Sequence, residues 1–208
     1  LAKEEGCDIL FIPGGSFATD FRPVVTMSRN LLPFEWRGVR RYGISAKSPR
    51  LLLLRWSQSL SFIRADGVIF LTEYAEKTVL KIAGPLQGER VIIPHGITGR
   101  FSRKLRPQRP LKECDERQPL RIVYVSIIAD YKHQRQVAEA VAILCAKGFP
   151  LVLDLIGPAY PPALRRLRRT LQRIDPLGKV IRYVGAVPHS ELHTWYHMAD
   201  IFVFASSC

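Results

Sequence analysis

The sequence predicts an α/β protein built as two halves with parallel sheets joined by a polar hinge, and three observations predict it. Short runs rich in β-branched residues alternate with helical patterns along the 208 residues, as βαβ units require. The alternation breaks once, between Ile97 and Pro119, where FSRKLRPQRPLKECDERQP is rich in proline and charge and poor in apolar residues. In the second half, the predicted strands end in Ser126, Gly157, Gly185 and Ala205-Ser206-Ser207. Such endings leave space beyond the carboxyl ends of the strands, where open parallel sheets bind ligands. Tight turns favour small residues on their own account, which explains each ending singly. The division read from these features is residues 1–96, a linker over 97–119, and residues 120–208.

The elements follow in order. Asp8 to Ile12 (DILFI) and Val24 to Met27 (VVTM) read as strands. A helix comes next, with Leu53, Trp56, Leu60 and Ile63 spaced to share one face. Gly67 to Leu71 is a strand, and Thr72 is placed to cap a helix that stops near Gly84. Arg90 to Ile93 runs into Pro94-His95-Gly96. Beyond the linker, Arg121 to Ser126 is a strand, Gln134 to Lys147 a helix with Gly148 as its stop, and Leu151 to Ile156 a strand. A helix with Leu164, Leu167, Leu171 and Ile174 inward precedes a strand at Val180 to Val184. Ser190 reads as the cap of a helix reaching Ala199, before a last strand at Ile201 to Phe204. Leu1 enters in mid-helix pattern and ADIFVFASSC ends on an uncovered strand. The chain therefore reads as an internal piece of a longer protein, with both halves incomplete.

Composition narrows the function. Thirty-one Lys and Arg against 18 Asp and Glu give a net charge of +13, so partners are expected to be anionic: nucleic acid, an acidic membrane surface or phosphorylated small molecules. The four cysteines, Cys7, Cys114, Cys145 and Cys208, form no CxxC pair, which argues against a zinc ribbon or disulfide framework and fits a reducing cytosol. No apolar run reaches the roughly 18 residues needed to span a bilayer, since Arg55 and Arg64 interrupt the most hydrophobic helix. The amino end, with acidic residues where a basic segment is expected, does not read as a secretory signal.

The stretch YVSIIADYKHQRQVAEAVAIL, Tyr124 to Leu144, carries the most chemistry. A strand breaks into a turn, and Lys132 stands at the mouth of an amphipathic helix, whose free N–H groups and partial positive charge suit a phosphate. Taken alone, the segment reads first as a solvated lysine in an αβ loop. Its setting decides more. VVTMSRNLLPFE, FLTEYAEKTV, VIIPHGI, YVSIIADYK, LDLIGPAY and RYVGAVPHSELHTWYHMADIFVFASS, in that order and covering nearly the whole chain, resemble the retaining GT-B glycosyltransferases of family 4, the glycosyl transferases group 1.

The resemblance implies two Rossmann-like domains facing a cleft. The second holds a nucleoside-diphosphate sugar, and the first faces a saccharide or lipid-linked acceptor. It assigns Lys132 and Ser126 to the donor diphosphate, Gly157 and Val187 to the nucleotide, and Ser28, Arg29 and Asn30 to the acceptor side. It implies no metal and no cofactor beyond the donor substrate. His95-Gly96 matches the hinge, with His95 itself read as a plain turn residue. Departures are visible. The family's Gly-Arg before the lysine is Ser126-Ile127 here, and the glycine after it is His133, so either a neighbour such as Arg135 supplies the second positive charge or the donor is bound differently. The family's paired glutamates, E-x7-E, would begin beyond Cys208, and its amino-terminal Gly-rich loop is absent.

Other patterns have simpler readings. His189, His193 and His197 recur every four residues, but no Asp, Glu or Cys is spaced to complete a zinc site with them, and a partly exposed helix face accounts for them. Arg165, Arg166, Arg168, Arg169 and Arg173, with Arg100, Arg103, Lys104, Arg106 and Arg109 in the linker, lack the interleaved aromatics of a nucleic-acid module. A solvated basic face comes first, and peripheral contact with anionic lipid at the inner face of the cytoplasmic membrane second. Sugar transfer is the favoured function. A basic nucleic-acid-binding α/β protein and a noncatalytic nucleotide-sugar binder are the alternatives.

Overall fold

The computed structural model describes residues 5–35, 47–102, 104 and 107–207. Leu1, Arg103, Arg106 and Cys208, all singled out in the sequence, lie outside the described residues. The chain divides into two compact units between Gly96 and Ile97. Each is built on a four-stranded, all-parallel sheet.

The first unit has strands β1 (Leu10–Ile12), β2 (Val24–Ser28), β3 (Gly67–Phe70) and β4 (Glu89–Ile92), paired in chain order. Helix α1 (Lys47–Arg64) links β2 to β3, and α2 (Glu73–Ala83) links β3 to β4. Val24, Phe34, Phe62, Val68, Phe70 and Val79 form the core, with Phe62 between the rings of Phe34 and Phe70 at 5.9 and 6.5 Å. Thr72 caps α2 as its sequence predicts: its hydroxyl accepts the Ala75 N–H at 3.1 Å. Gly84 ends the helix at φ +80°, a conformation that favours glycine.

Helix α1 does not turn its apolar stripe to the core. The stripe Leu53, Trp56, Leu60 points away from the core, with Leu53 64% and Trp56 63% exposed, while Ile63 is only partly buried. The face turned inward carries Gln58, Ser61, Phe62 and Ala65. What selects it is the polar loop after β1: the Phe17 N–H donates to the Ser61 hydroxyl at 3.0 Å, and Gln58 packs beside Gly15. Turning leucines toward that loop would strand its backbone groups, which is costly when they are buried. Phe62, on the same face, fills the core.

The second unit has β5 (Leu120–Val125), β6 (Leu151–Ile156), β7 (Ile181–Gly185) and β8 (Ile201–Phe202), in the spatial order β7-β6-β5-β8. Helices α3 (Gln134–Ala146), α4 (Pro161–Ile174) and α5 (Leu192–Met198) connect them. Helix α4 starts with proline, where a missing N–H costs nothing, and Leu167 is inserted in the core beside Leu153, Leu155 and Ala138. Ser190 does not cap α5. A turn over 188–191, closed by the Glu191 N–H on the Pro188 carbonyl at 2.9 Å, delays the helix to Leu192, and Glu191 precedes it without a side-chain cap.

Two carboxylates fix strand positions. Asp154, within β6 and only 8% exposed at its side chain, takes two bonds from Arg182 on β7, at 2.8 and 3.0 Å, across a directly paired register. Asp66, just before β3, accepts the Val24 N–H at 2.7 Å and an Arg22 N–H at 2.9 Å, and these bonds hold its carboxyl below the ordinary aspartate range.

Arg182→Leu leaves the Asp154 carboxylate without its partner and is expected to destabilise the second unit by about 1–3 kcal/mol in urea unfolding. The double change Asp154→Leu/Arg182→Leu should recover part of that loss. Because the Asp66 pKa is lower folded than unfolded, its stabilisation is complete above the unfolded value and fades as pH falls through the folded one. The Tm gap between wild type and Asp66→Asn should therefore be widest near pH 6 and shrink below about pH 4.

Candidate functional site

The order β7-β6-β5-β8 places successive strands first on one side of β5 and then on the other. The carboxyl ends of β5 and β8 thus flank a topological switch point, where α/β sheets form ligand crevices. Residues 126–133 line it from β5, and residues 203–207 from β8.

Tyr124 ties the two sides together. Its ring is fully buried, 5.8 Å from the Phe204 ring, and its hydroxyl accepts the Ala205 N–H at 3.1 Å while donating to the Lys132 carbonyl at 2.5 Å. Burial pushes its phenol above the ordinary tyrosine pKa, so it stays a donor at neutral pH. β8 pairs only to Phe202 rather than to Phe204 because a side-chain hydroxyl replaces the next strand carbonyl for Ala205. The Ser207 N–H then donates to the Tyr131 carbonyl at 3.0 Å, and the Ser207 hydroxyl meets His133 Nε2 at 2.7 Å.

Lys132 ends a 3-10 turn over Asp130–Lys132, with His133 between it and α3. Its Nζ lies 4.5 Å from the centroid of the Phe204 ring and 5.0 Å from that of Tyr131. Aromatic faces hold an ammonium without neutralising it. Among the described residues no carboxylate pairs with it: the neighbouring Asp130 is engaged by Arg166 instead. His133 takes the left-handed conformation, φ +56° and ψ +25°, which costs a non-glycine residue about 1 kcal/mol. The backbone thus keeps the shape a glycine would adopt. Gln134, 2% exposed, donates to the Ile127 carbonyl at 2.8 Å and anchors the start of α3, whose first amides have no side-chain cap.

Ser126 and Gly157 come together for packing reasons. A Cβ on Gly157, at φ +138°, would stand 2.2 Å from the Ser126 carbonyl oxygen. Their amides are both engaged, Ser126 N–H with Ile156 and Gly157 N–H with Gly185, so neither backbone donor is open to a ligand. A register shift at Leu155/Ile156 pairs Ile156 with Gly185 and sets this contact. Val187 follows two residues later, partly buried. Arg135 is exposed in the first turn of α3 and borders a cleft of about 380 Å³ with Arg166, Arg169 and Arg173.

In the first unit, Ser28 ends β2 and is 3% exposed, and its hydroxyl has no partner among the described residues. Arg29 and Asn30 are exposed, the Asn30 carboxamide oxygen accepting the Leu32 N–H at 2.9 Å. The Gln58 carboxamide oxygen is likewise buried and unpaired. Sequence reasoning missed Gln58, because the leucine stripe pointed to the opposite face. It also missed Tyr124 and Phe204, for which an aromatic at each strand end was the available signal. His193 and His197 stack at 5.6 Å between ring centroids, and Phe101 covers His189, His193 and Tyr196. Among the described residues, no group of three or more His, Cys, Asp or Glu is placed to hold a metal.

Residues 119–207 match the family model described as Glycosyl transferases group 1. No curated protein sequence matches the chain. Among solved structures, sucrose-phosphate synthase (tll1590) from Thermosynechococcus elongatus aligns over 99% of this chain and 52% of its own, with TM-score 0.71 and 18% identity. WaaG, a glycosyltransferase involved in lipopolysaccharide biosynthesis, aligns over 99% and 55%, with TM-score 0.67 and 15% identity. Anabaena Alr3699/HepE, in complex with UDP and glucose, aligns over 90% and 47%, with TM-score 0.65 and 14% identity. The fold is GT-B-like. The chain spans about half the length of these structures.

Tyr124→Phe removes one hydroxyl and orphans both the Lys132 carbonyl and the Ala205 N–H. It should lower stability by about 1–3 kcal/mol and raise amide exchange selectively at residues 129–134 and 203–207, read by hydrogen-exchange mass spectrometry.

Proposed function

We propose that the chain belongs to a retaining glycosyltransferase of family 4 that moves a sugar from a nucleoside diphosphate to a saccharide or lipid-linked acceptor. One observation carries this reading: the ammonium of Lys132, without a carboxylate partner, stands at the switch point of the sheet within the segment that matches the family model. Relatives of the same fold were solved with UDP and glucose, or with UDP and GlcNAc.

Lys132 and the uncapped start of α3 hold the donor diphosphate. When the bond between the anomeric carbon and the phosphate oxygen breaks, the departing nucleoside diphosphate gains negative charge. A preorganised ammonium lowers the energy of that charge as it develops. Aromatic contacts keep the ammonium in place beforehand, so little reorganisation is needed. Ser126 faces the diphosphate through its side chain, Gly157 and Val187 border the nucleotide, and Ser28, Arg29 and Asn30 lie on the acceptor side. No metal is needed in this reading, since Lys132 and the helix terminus supply the positive charge. The protein works in the cytoplasm, peripherally at the inner membrane face. A noncatalytic nucleotide-sugar binder would share the binding but form no product.

UDP, GDP or ADP at saturating concentration should raise Tm for one base preferentially. In the full-length enzyme, Lys132→Ala should reduce turnover by at least ~10²-fold, typical for losing one transition-state charge contact, with the product anomer assigned by NMR. Unchanged turnover, or inversion at the anomeric carbon, would overturn the assignment.

A further inference from the structure

The contact between Asp130 and Arg166 does little for the fold. Arg166 approaches from α4, 36 residues along the chain, and grips the carboxylate with two nitrogens: Nε donates to Oδ1 at 3.1 Å, and Nη2 donates to Oδ2. The side chains are 44% and 64% exposed, and ion pairs in that setting add little to stability. The turn they join is held without them. Ile128 exchanges two backbone bonds with the loop after β6, its N–H donating to the Pro158 carbonyl at 2.8 Å and its carbonyl accepting the Tyr160 N–H at 3.0 Å. Gln134 and Tyr124 fasten the same turn from α3 and β5. Nor does Asp130 cap a helix, since neither the 3-10 turn nor α3 has a side-chain cap.

A carboxylate that neither caps nor braces works against the site it borders. Asp130 and Lys132 are two residues apart in one 3-10 turn, about 4 Å along its axis, inside the ~8 Å over which salt screens charge. The Lys132 ammonium rests on ring faces, Phe204 at 4.5 Å and Tyr131 at 5.0 Å. Such contacts are of the same order as an exposed ion pair, so the rings alone would not keep the ammonium from a free carboxylate. An unpaired Asp130 would also repel an incoming diphosphate. We propose that Arg166 is a positioning residue of the donor site: by occupying both oxygens of Asp130 it keeps the Lys132 ammonium unpaired and open to a nucleoside diphosphate. Leu167, the next residue of α4, is 2% exposed in the core, which fixes the backbone from which Arg166 reaches. Arg173, one helical face along, meets Glu139 instead. This role rests on the donor-site reading of Lys132.

Calorimetric titration of the full-length protein with UDP, GDP and ADP tests it, the variants being compared with the nucleotide that wild type binds most tightly. Arg166→Ala should weaken Kd about 10-fold, the size of one coupled charge pair. Asp130→Asn/Arg166→Ala should return Kd to within about 2-fold of wild type, and Asp130→Asn alone should bind at least as well as wild type. Arg168→Ala, which removes the same charge from another exposed position of α4, should leave Kd unchanged. A merely bracing pair gives a different pattern: Asp130→Asn then weakens binding as much as Arg166→Ala does, and the double variant recovers nothing. That pattern, a wild-type Kd in Arg166→Ala, or equal losses in Arg166→Ala and Arg168→Ala would each sink the proposal. Lys132→Ala separates it from the sugar-transfer reading. If wild type binds none of the three nucleotides, or binds as tightly without the Lys132 ammonium, the donor site itself is wrong and Arg166 loses its role with it. If Lys132→Ala abolishes binding and Arg166→Ala does not weaken it, the role of Arg166 alone is wrong.

Discussion

The second unit depends on the placement of one phenol. Tyr124 sits on β5, the strand from which the sheet grows in both directions, and its hydroxyl holds the turn bearing Lys132 to the chain leaving β8. Both groups it satisfies belong to segments without regular secondary structure to pair them. A buried polar group left unpaired costs more than the bond itself contributes. The hydroxyl therefore determines where the two rims of the crevice sit. With the rims fixed, the Phe204 ring comes under the Lys132 ammonium, and His133 meets Ser207. Both loops are thereby ordered by contacts within the unit.

Charged side chains serve two different ends. Asp154 and Arg182 form a pair inside the sheet, and Asp66 gathers the Val24 amide and Arg22 at the start of β3; both fix strand register and leave no spare charge. Lys132 is different. Its nearest acid, Asp130, is held by Arg166, and aromatic faces provide the contacts that a carboxylate would otherwise make. An ammonium kept in place but not neutralised is available to an anion. The arginines of α4 remain exposed, with Arg173 paired to Glu139 and Arg166 to Asp130.

Helix α1 shows how a helix can be amphipathic and still be turned the unexpected way. Two faces competed for the core, one of leucines and tryptophan, the other of phenylalanine, alanine, serine and glutamine. The polar face won because the loop after β1 needed hydrogen-bond partners, and Phe62 alone supplied enough apolar bulk on that side.

Local pattern, capping chemistry and composition determined the alternation of strands and helices, the Thr72 and Gly84 helix ends, the break after Gly96 and the position of Lys132 before a helix. These are local: each follows from residues within a few positions of one another, whose propensities and capping chemistry do not depend on distant partners. Tertiary structure decided the rest. The outward turn of the α1 leucines depended on a loop more than 35 residues away. The closeness of Ser126 and Gly157 depended on sheet register, and the setting of Lys132 on an aromatic 72 residues later in the chain. Such contacts link segments whose spacing in sequence carries no trace of their meeting, and only the packed sheet brings them together.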